Sequence, residues 1–317
     1  MSNDKGTAVI AVGGNSLIVN ALKQAIPDQY EAAVQTVKRI VDVIEMGWNV
    51  VITHGSGPQV GFVLRRSEIA SGEVSRIPMD YADADIQGAV GYMFQRALYN
   101  EFYKRGLDRH PIAVVTQVLV DKNDPAFAHP TKPIGSQMDE ATARGRAKSE
   151  GWAIAADAGR GWRRVVPSPE PQEVLELEQI KHLVGDGYVV IACGGGGIPV
   201  IRNEKGYLVG VEAVIDKDLA SGLLATRIGA ELFVISTGVE RVAVNFNTPE
   251  QRWLDRVSLA EAKALVGEGQ FDAGSMEPKV LAMIRFLEGG GTRGVIADPE
   301  HLISAIDGRA GTQFARN

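Results

Sequence analysis

The sequence predicts an α/β sandwich, a mainly parallel central sheet with helices on both faces and a small excursion set into it. Three observations carry this prediction: short β-branched runs alternate with long amphipathic stretches, the alternation recurs along the chain, and several runs end in glycine clusters. Residues 8–12 form the first run and read as a strand. The next element is a helix on which Tyr30, Val34, Val37, Val41 and Ile44 share one face, and it feeds a second strand over 49–53, completing a βαβ unit. Farther on, a helix expected over 171–184 feeds a strand over 188–193, and a helix over 219–228 feeds a strand over 231–236. Between these units lies 121–170, rich in proline, glycine and charge, with the segments Pro130-Thr131-Lys132-Pro133-Ile134-Gly135 and Arg163-Arg164-Val165-Val166-Pro167-Ser168-Pro169. It reads as a lid subdomain inserted at about 121–170 in a single domain spanning 1–317.

Composition narrows the function classes. A chain of 317 residues that is 45% hydrophobic and 23% charged folds compactly and is neither disordered nor fibrous. Lys plus Arg number 33 against 39 for Asp plus Glu, and a net charge of −6 lacks the basic face that nucleic-acid binding needs. The single Cys193 excludes an intramolecular disulfide and a zinc site built on several thiolates. The apolar run at 8–12 is shorter than a signal-peptide core, and no run approaches the roughly 20 apolar residues that span a bilayer. The expectation is a cytoplasmic protein without a membrane partner.

The glycine clusters are the first chemical signal. Gly13-Gly14-Asn15 closes the first strand, His54-Gly55-Ser56-Gly57-Pro58-Gln59 the second, and Gly194 to Gly197 a later one. In parallel sheets the ligand crevice lies at these carboxyl ends, where a bare backbone approaches an anion and following helices point amides at it. Neither the P-loop spacing nor a dinucleotide fingerprint is present. The second signal is Asp216-Lys217-Asp218, set between an apolar run and a helix. Either aspartate reads equally as a helix cap, but a lysine flanked by carboxylates is an ammonium fixed in place and kept charged. Lys132 and Lys279 also occupy turns framed by proline or glycine. Phosphoryl transfer needs cations around the equatorial oxygens and in-line positioning, and anion-binding loops with framed lysines supply both.

Rival constellations are weak. The five histidines follow no His-Glu-x-x-His pattern, Gly55-Ser56-Gly57 lacks the nucleophile-elbow spacing, and His54 reads as structural. Trp48, Trp152, Trp162 and Trp253 read as packing.

Taken together, Val12-Gly13-Gly14-Asn15, His54 to Gly61, Asp124-Pro125-Ala126-Phe127, Pro130 to Gly135, Arg163 to Pro169, Gly194 to Pro199, Gly210 to Ala220 and Gly274 to Val280 resemble the carbamate kinases of the amino acid kinase superfamily, in order from about Ala8 to Thr312. The resemblance implies a three-layer αβα sandwich with a protruding lid, a homodimer, and ATP or ADP with Mg2+. It also implies the reversible reaction of ATP and carbamate to ADP and carbamoyl phosphate, used in catabolism, arginine breakdown included, to make ATP. By motif, Gly13, Gly14, Asn15, Ser56 and Gly57 would bind the acyl substrate and the moving phosphoryl group. Lys132, Lys217, Asp218 and Lys279 would be catalytic. Asp216, Lys217, Ser236, Thr237, Gly238, Val244, Met276 and Lys279 would bind the nucleotide, with no dedicated metal ligand.

The chain departs from the family pattern at Ser56 in place of Asn, at Ile86 in place of Ser or Thr, and at Ser136 in place of Pro. Two alternatives therefore stand beside carbamate: a superfamily kinase acting on another small carboxylate, and a non-catalytic nucleotide-binding sensor. Intact Lys132, Lys217, Asp218 and Lys279 speak against the sensor.

Overall fold

The computed structural model describes residues 5–14, 17–18, 23–157 and 161–317. Its centre is an eight-stranded sheet in the order Arg256–Ser258, Thr312–Ala315, Arg293–Ala297, Leu232–Ser236, Thr7–Val12, Asn49–His54, Val189–Ile191 and Pro111–Ala113. The six strands from Arg293–Ala297 to Pro111–Ala113 are mutually parallel, and the remaining two, Thr312–Ala315 and the edge strand Arg256–Ser258, run antiparallel to them.

Side chains on the inner strands alternate between two apolar cores, as the period of a strand requires. Ala8, Ile10, Val12, Val50, Ile52, Leu232 and Val234 enter one core with the helices Ile26–Glu45, Met79–Arg105 and Leu302–Ile306. Val9, Ala11, Val51, Phe233 and Ile235 enter the other with Leu177–Gly185, Lys217–Ile228, Leu259–Gly267 and Glu277–Glu288. This is the expected three-layer αβα sandwich. The runs at 8–12, 49–53 and 231–236 are continuous in β-branched and apolar residues because both of their faces are covered.

The described residues of 121–170 contribute no strand to the central sheet. They hold a separate antiparallel sheet, Lys132–Met138, Gly161–Val166 and Ala153–Asp157 in that order, with the helix Glu140–Glu150. Two features depart from expectation. The helix expected over 171–184 begins only at Leu177; Pro171–Val174 is a strand paired with Gln117–Val120. Proline suits the first position of an edge strand, where no ladder N–H is asked of it, and Pro171 and Val174 are buried while Gln172 and Glu173 are exposed. That pair joins Ile198–Arg202 and Leu208–Gly210 in a second, four-stranded sheet. Also, Trp152 and Trp162 do more than pack. The guanidinium groups of Arg164 and Arg146 lie 5.0 and 5.1 Å from the Trp152 ring centre, and Arg144 lies 5.3 Å from that of Trp162.

Candidate active site

Strand order places the chemistry. Thr7–Val12, Asn49–His54 and Val189–Ile191 are adjacent and parallel, so their glycine-rich carboxyl ends lie side by side along one edge. Gly55 N–H donates to the Val12 carbonyl at 2.9 Å, and Gly13 N–H to that of Ser236 at 3.2 Å. The approach is closest between Gly14 and Gly55: a Cβ on Gly55 would fall 2.8 Å from Gly14 N and 3.6 Å from Lys217 Cδ. Glycine is thus required there by the contact itself, and the lysine stem runs over the two loops. Asn15 lies outside the described residues.

Asp216, Lys217 and Asp218 open the helix Lys217–Ile228, which packs on the same edge. Asp216 is its N-cap, with Oδ1 accepting from the amides of Asp218 at 2.8 Å and Leu219 at 3.3 Å. Its Oδ2 pairs with the ammonium of Lys132, which arrives from the small sheet. Asp216 thus fills the capping role that its place before the helix allowed. Asp218 Oδ1 lies 2.6 Å from Lys217 Nζ as an ion pair, and Oδ2 accepts a hydrogen bond from Lys279 Nζ at 3.0 Å. Lys279 also donates to the Ser275 carbonyl.

Three ammonium groups brought from three places in the sequence therefore converge on two carboxylates, a local excess of one positive charge. Burial pulls the Lys217 pKa below its ordinary value against the opposing pull of Asp218. Burial raises the Asp218 carboxyl, but Lys217 and Lys279 outweigh it and hold the group ionised, far below the usual range. For Lys279 the sign reverses: burial lowers it, and the Asp218 charge more than compensates, so its pKa is raised.

The remaining expected residues frame this cluster. Gly57 opens the helix Gly57–Ile69, with the Pro133 carbonyl 3.5 Å from where its Cβ would be. Ser56 is 2% exposed, and its hydroxyl is buried without a hydrogen-bond partner, tucked where a Gly195 side chain would begin, 2.5 Å from that Cβ position. Gly195 has φ +70°, so both conformation and space exclude a side chain. Ser236 ends the strand Leu232–Ser236, and Thr237 N–H donates to the Ala297 carbonyl at 2.9 Å. Gly238 follows with no neighbour within 4 Å of its Cβ position. Val244 is buried in the strand Val242–Val244, and Met276 precedes the helix Glu277–Glu288, whose first turn carries Lys279.

Ile86 lies in the apolar core. His54 is structural, as expected: buried, 5.9 Å from the Phe94 ring in a stack, with its pKa lowered to about 4 chiefly by burial. That value leaves it neutral at pH 7.

Sequence reasoning passed over the residues that fix the third glycine loop. The Gln87 carboxamide donates to the carbonyls of Thr116 and Gly194 at 3.0 Å each and accepts from Thr116 N–H at 2.7 Å. The Thr116 hydroxyl accepts from Cys193 N–H at 3.1 Å. Only a glutamine on the buried face of a helix hinted at this.

Among the described residues, no group of three or more His, Cys, Asp or Glu side chains is placed to hold a metal ion. Asp216 and Asp218 already serve lysines or backbone amides. The donor set therefore fits phosphate oxygens rather than a protein-built metal cage.

A parallel sheet with this crevice and this lysine–aspartate cluster defines a phosphotransferase fold, and the chain belongs to the amino acid kinase family, which it matches over residues 6–298. Within that family its likeness is to carbamate kinases. It is 50% identical to the carbamate kinase of Thermococcus kodakarensis over 312 residues, 97% of this chain and 98% of that one. It is 46% identical to the carbamate kinase-like protein YahI of Escherichia coli, covering 98% and 99%. The solved carbamate kinase of Giardia lamblia bound to AMP-PNP superposes with a TM-score of 0.90 at 38% identity, covering 99% of this chain and all of that one. The motif resemblance is borne out along the chain.

Proposed function

We propose that the protein is a carbamate kinase, transferring a phosphoryl group reversibly between ATP and carbamate and used to make ATP from carbamoyl phosphate and ADP. The observation that carries the reading is the Lys217–Asp218–Lys279 cluster beside the paired Gly14 and Gly55 loops. In the synthetic direction a carbamate oxygen attacks the γ-phosphorus and the bond to the β-phosphate oxygen breaks; in the catabolic direction the ADP terminal oxygen attacks carbamoyl phosphate. The acceptor is an anion in both directions, so no general base is required, and a neutral buried His54 is consistent with that.

Backbone amides of Gly13, Gly14, Asn15, Ser56 and Gly57 bind the acyl group and the moving phosphoryl. Lys217 neutralises its equatorial oxygens, Lys279 meets the nucleotide's terminal phosphates, and Asp218 holds both ammonium groups in place. Lys132, carried by a lid formed from 121–170, leaves Asp216 for substrate as the lid closes. Ser236, Thr237, Gly238, Val244 and Met276 border the nucleoside. Magnesium arriving with the nucleotide would supply charge neutralisation on the phosphates, and no residue of this chain is assigned to hold it, since Asp216 and Asp218 pair with lysines and backbone amides.

The acyl substrate has a second reading. Ser56, which stands where the family pattern has Asn, opens the alternative of another small carboxylate in place of carbamate. Coupled ATP formation from ADP and a panel of acyl phosphates decides between them: carbamoyl phosphate as the best donor supports the proposal, and another donor preferred by tenfold or more in kcat/KM replaces it.

The protein acts in the cytoplasm as a homodimer. None of the helices among the described residues is long and apolar enough to cross a membrane. On the helix Met79–Arg105, Tyr81, Asp85, Gly88, Tyr92, Arg96, Tyr99 and Tyr103 lie on one exposed face at helical spacing. This face is proposed as the surface that meets the same face of a second copy across a two-fold axis. Sedimentation is expected to give a dimer for the native chain and a monomer for Tyr92→Glu; a native monomer would remove this interface.

A further inference from the structure

Lys217 is the first residue of its helix, so its ammonium can be no better placed than that helix's first turn. Two hydroxyls, both fully buried, tie the turn to the central sheet. Thr53, next to last in Asn49–His54, sets its Oγ1 2.6 Å from Ser221 Oγ, and Ser221 Oγ lies 2.6 Å from the Lys217 carbonyl oxygen. A carbonyl only accepts, so Ser221 gives its single proton to Lys217 O, and its own oxygen must accept from Thr53. The proton order of the chain is thereby fixed: Thr53 O–H to Ser221 O–H to Lys217 C=O.

A helical serine bonded to the carbonyl four residues back is ordinary. The second partner is not. It comes from the strand that continues directly into His54, Gly55, Ser56 and Gly57, the loop against which the Lys217 stem lies. One hydrogen-bonded chain thus spans the anion loop and the lysine, in a place where water does not compete.

We propose that Thr53 and Ser221 are positioning residues for phosphoryl transfer, registering Lys217 against the 54–57 loop so that ammonium and loop amides converge on the same phosphoryl oxygens. This rests on the function proposed above. Core stability does not need the pair, because removing both partners of a buried hydrogen bond for apolar groups of similar shape is nearly neutral.

The test compares Thr53→Val, Ser221→Ala, the double variant and the conservative Thr53→Ser with the native chain. Turnover, KM, thermal melting and the pH dependence of acetic anhydride labelling at Lys217, read by mass spectrometry, are measured in each. The expected result is a fall in kcat of about tenfold in each hydroxyl-deleting variant, with KM for ADP and carbamoyl phosphate within about twofold, since a small misplacement acts on the transition state. The double variant melts near the native temperature, the Lys217 labelling midpoint moves up towards that of an ordinary lysine, and Thr53→Ser behaves as native.

Unchanged kcat and labelling in folded variants would overturn the inference. So would a loss of kcat matched by a rise in KM or by collapse of the fold, which assigns the pair to structure alone. If the native chain makes no ATP, the functional reading fails instead. Labelling then judges the relay by itself: a midpoint raised in Thr53→Val and not in Thr53→Ser upholds it, and an unmoved midpoint overturns it.

Discussion

Replacing Asp218 with asparagine keeps the shape of the side chain and removes the charge that pairs directly with both the buried Lys217 ammonium and the partly buried one of Lys279. At 2.6 and 3.0 Å, with an effective dielectric near 20, each lysine is attracted to Asp218 by about 6 kcal/mol. Most of that offsets desolvation, and the measured cost of breaking such a buried pair is about 3–5 kcal/mol. The sign for pH follows from Lys217. Its pKa is already depressed by burial, and Asp218 is the largest influence holding it up. In Asp218→Asn that pKa falls further, so the ammonium loses its proton at a lower pH than in the native protein. Turnover at neutral pH is expected to drop by about 10²–10³, the usual cost of losing one preorganised charge contact in the transition state. Part of the loss should return on acidification, because the neutral amine regains its charge. The assay is coupled ATP formation from ADP and carbamoyl phosphate across pH 5.5–9, with circular dichroism to establish folding. A folded variant within about threefold of native kcat, or one whose pH profile overlays the native profile, would refute the reasoning.

Two further outcomes follow from contacts around the site. Gly195→Ala puts a Cβ 2.5 Å from Ser56 Oγ at a residue with φ +70°; chemical denaturation should show a loss of about 1–3 kcal/mol, and turnover should fall with it. Glu68 accepts hydrogen bonds from Arg164 at 2.9 Å, Trp152 at 3.2 Å and Arg65 at 3.3 Å, joining the helix Gly57–Ile69 to the small sheet. Glu68→Gln should weaken that junction by about 1.5–3 kcal/mol, the worth of hydrogen bonds to a charged group, seen as faster proteolysis within 121–170 and a raised KM. Unaltered cleavage would mean the junction is held elsewhere, as by the close backbone approach of Gly61 to Gly135.

What could be read from the chain was whatever is local to it. The strands at 8–12, 49–53 and 231–236 are continuous apolar runs because both faces are covered, and their glycine ends are visible as composition. The membership of the lysine cluster was visible in the same way, through Lys217 between two carboxylates and through Lys132 and Lys279 beside proline or glycine, although neither of the latter two sits in the turn expected of it: Lys132 opens the strand Lys132–Met138 and Lys279 lies in the first turn of the helix Glu277–Glu288. Their pairing was not, because Lys132 meets Asp216 across 84 positions and Lys279 meets Asp218 across 61. The helix Met79–Arg105 escaped notice because its faces carry the wrong residues for a simple stripe. Tyr81, Tyr92, Tyr99 and Tyr103 are exposed, while Asp83 and Gln87 are buried. Burial, with the neighbouring Asp80 and Glu212, pushes the Asp83 carboxyl well above the usual range. The strand at Pro171–Val174 was read as helix because its four residues were merged with the helical pattern that follows. Thr53 and Ser221 gave no signal, since neither residue type nor spacing marks a hydrogen bond made across 168 positions.

The central claim is that this lysine-centred crevice moves a phosphoryl group between carbamoyl phosphate and ADP. The most direct measurement is coupled ATP formation from those two substrates with Mg2+, beside a Lys217→Ala protein prepared identically. The account predicts robust ATP production by the native chain and a loss of about two or more powers of ten in the folded variant. No ATP from a folded, nucleotide-binding native protein, or undiminished turnover in Lys217→Ala, would contradict it.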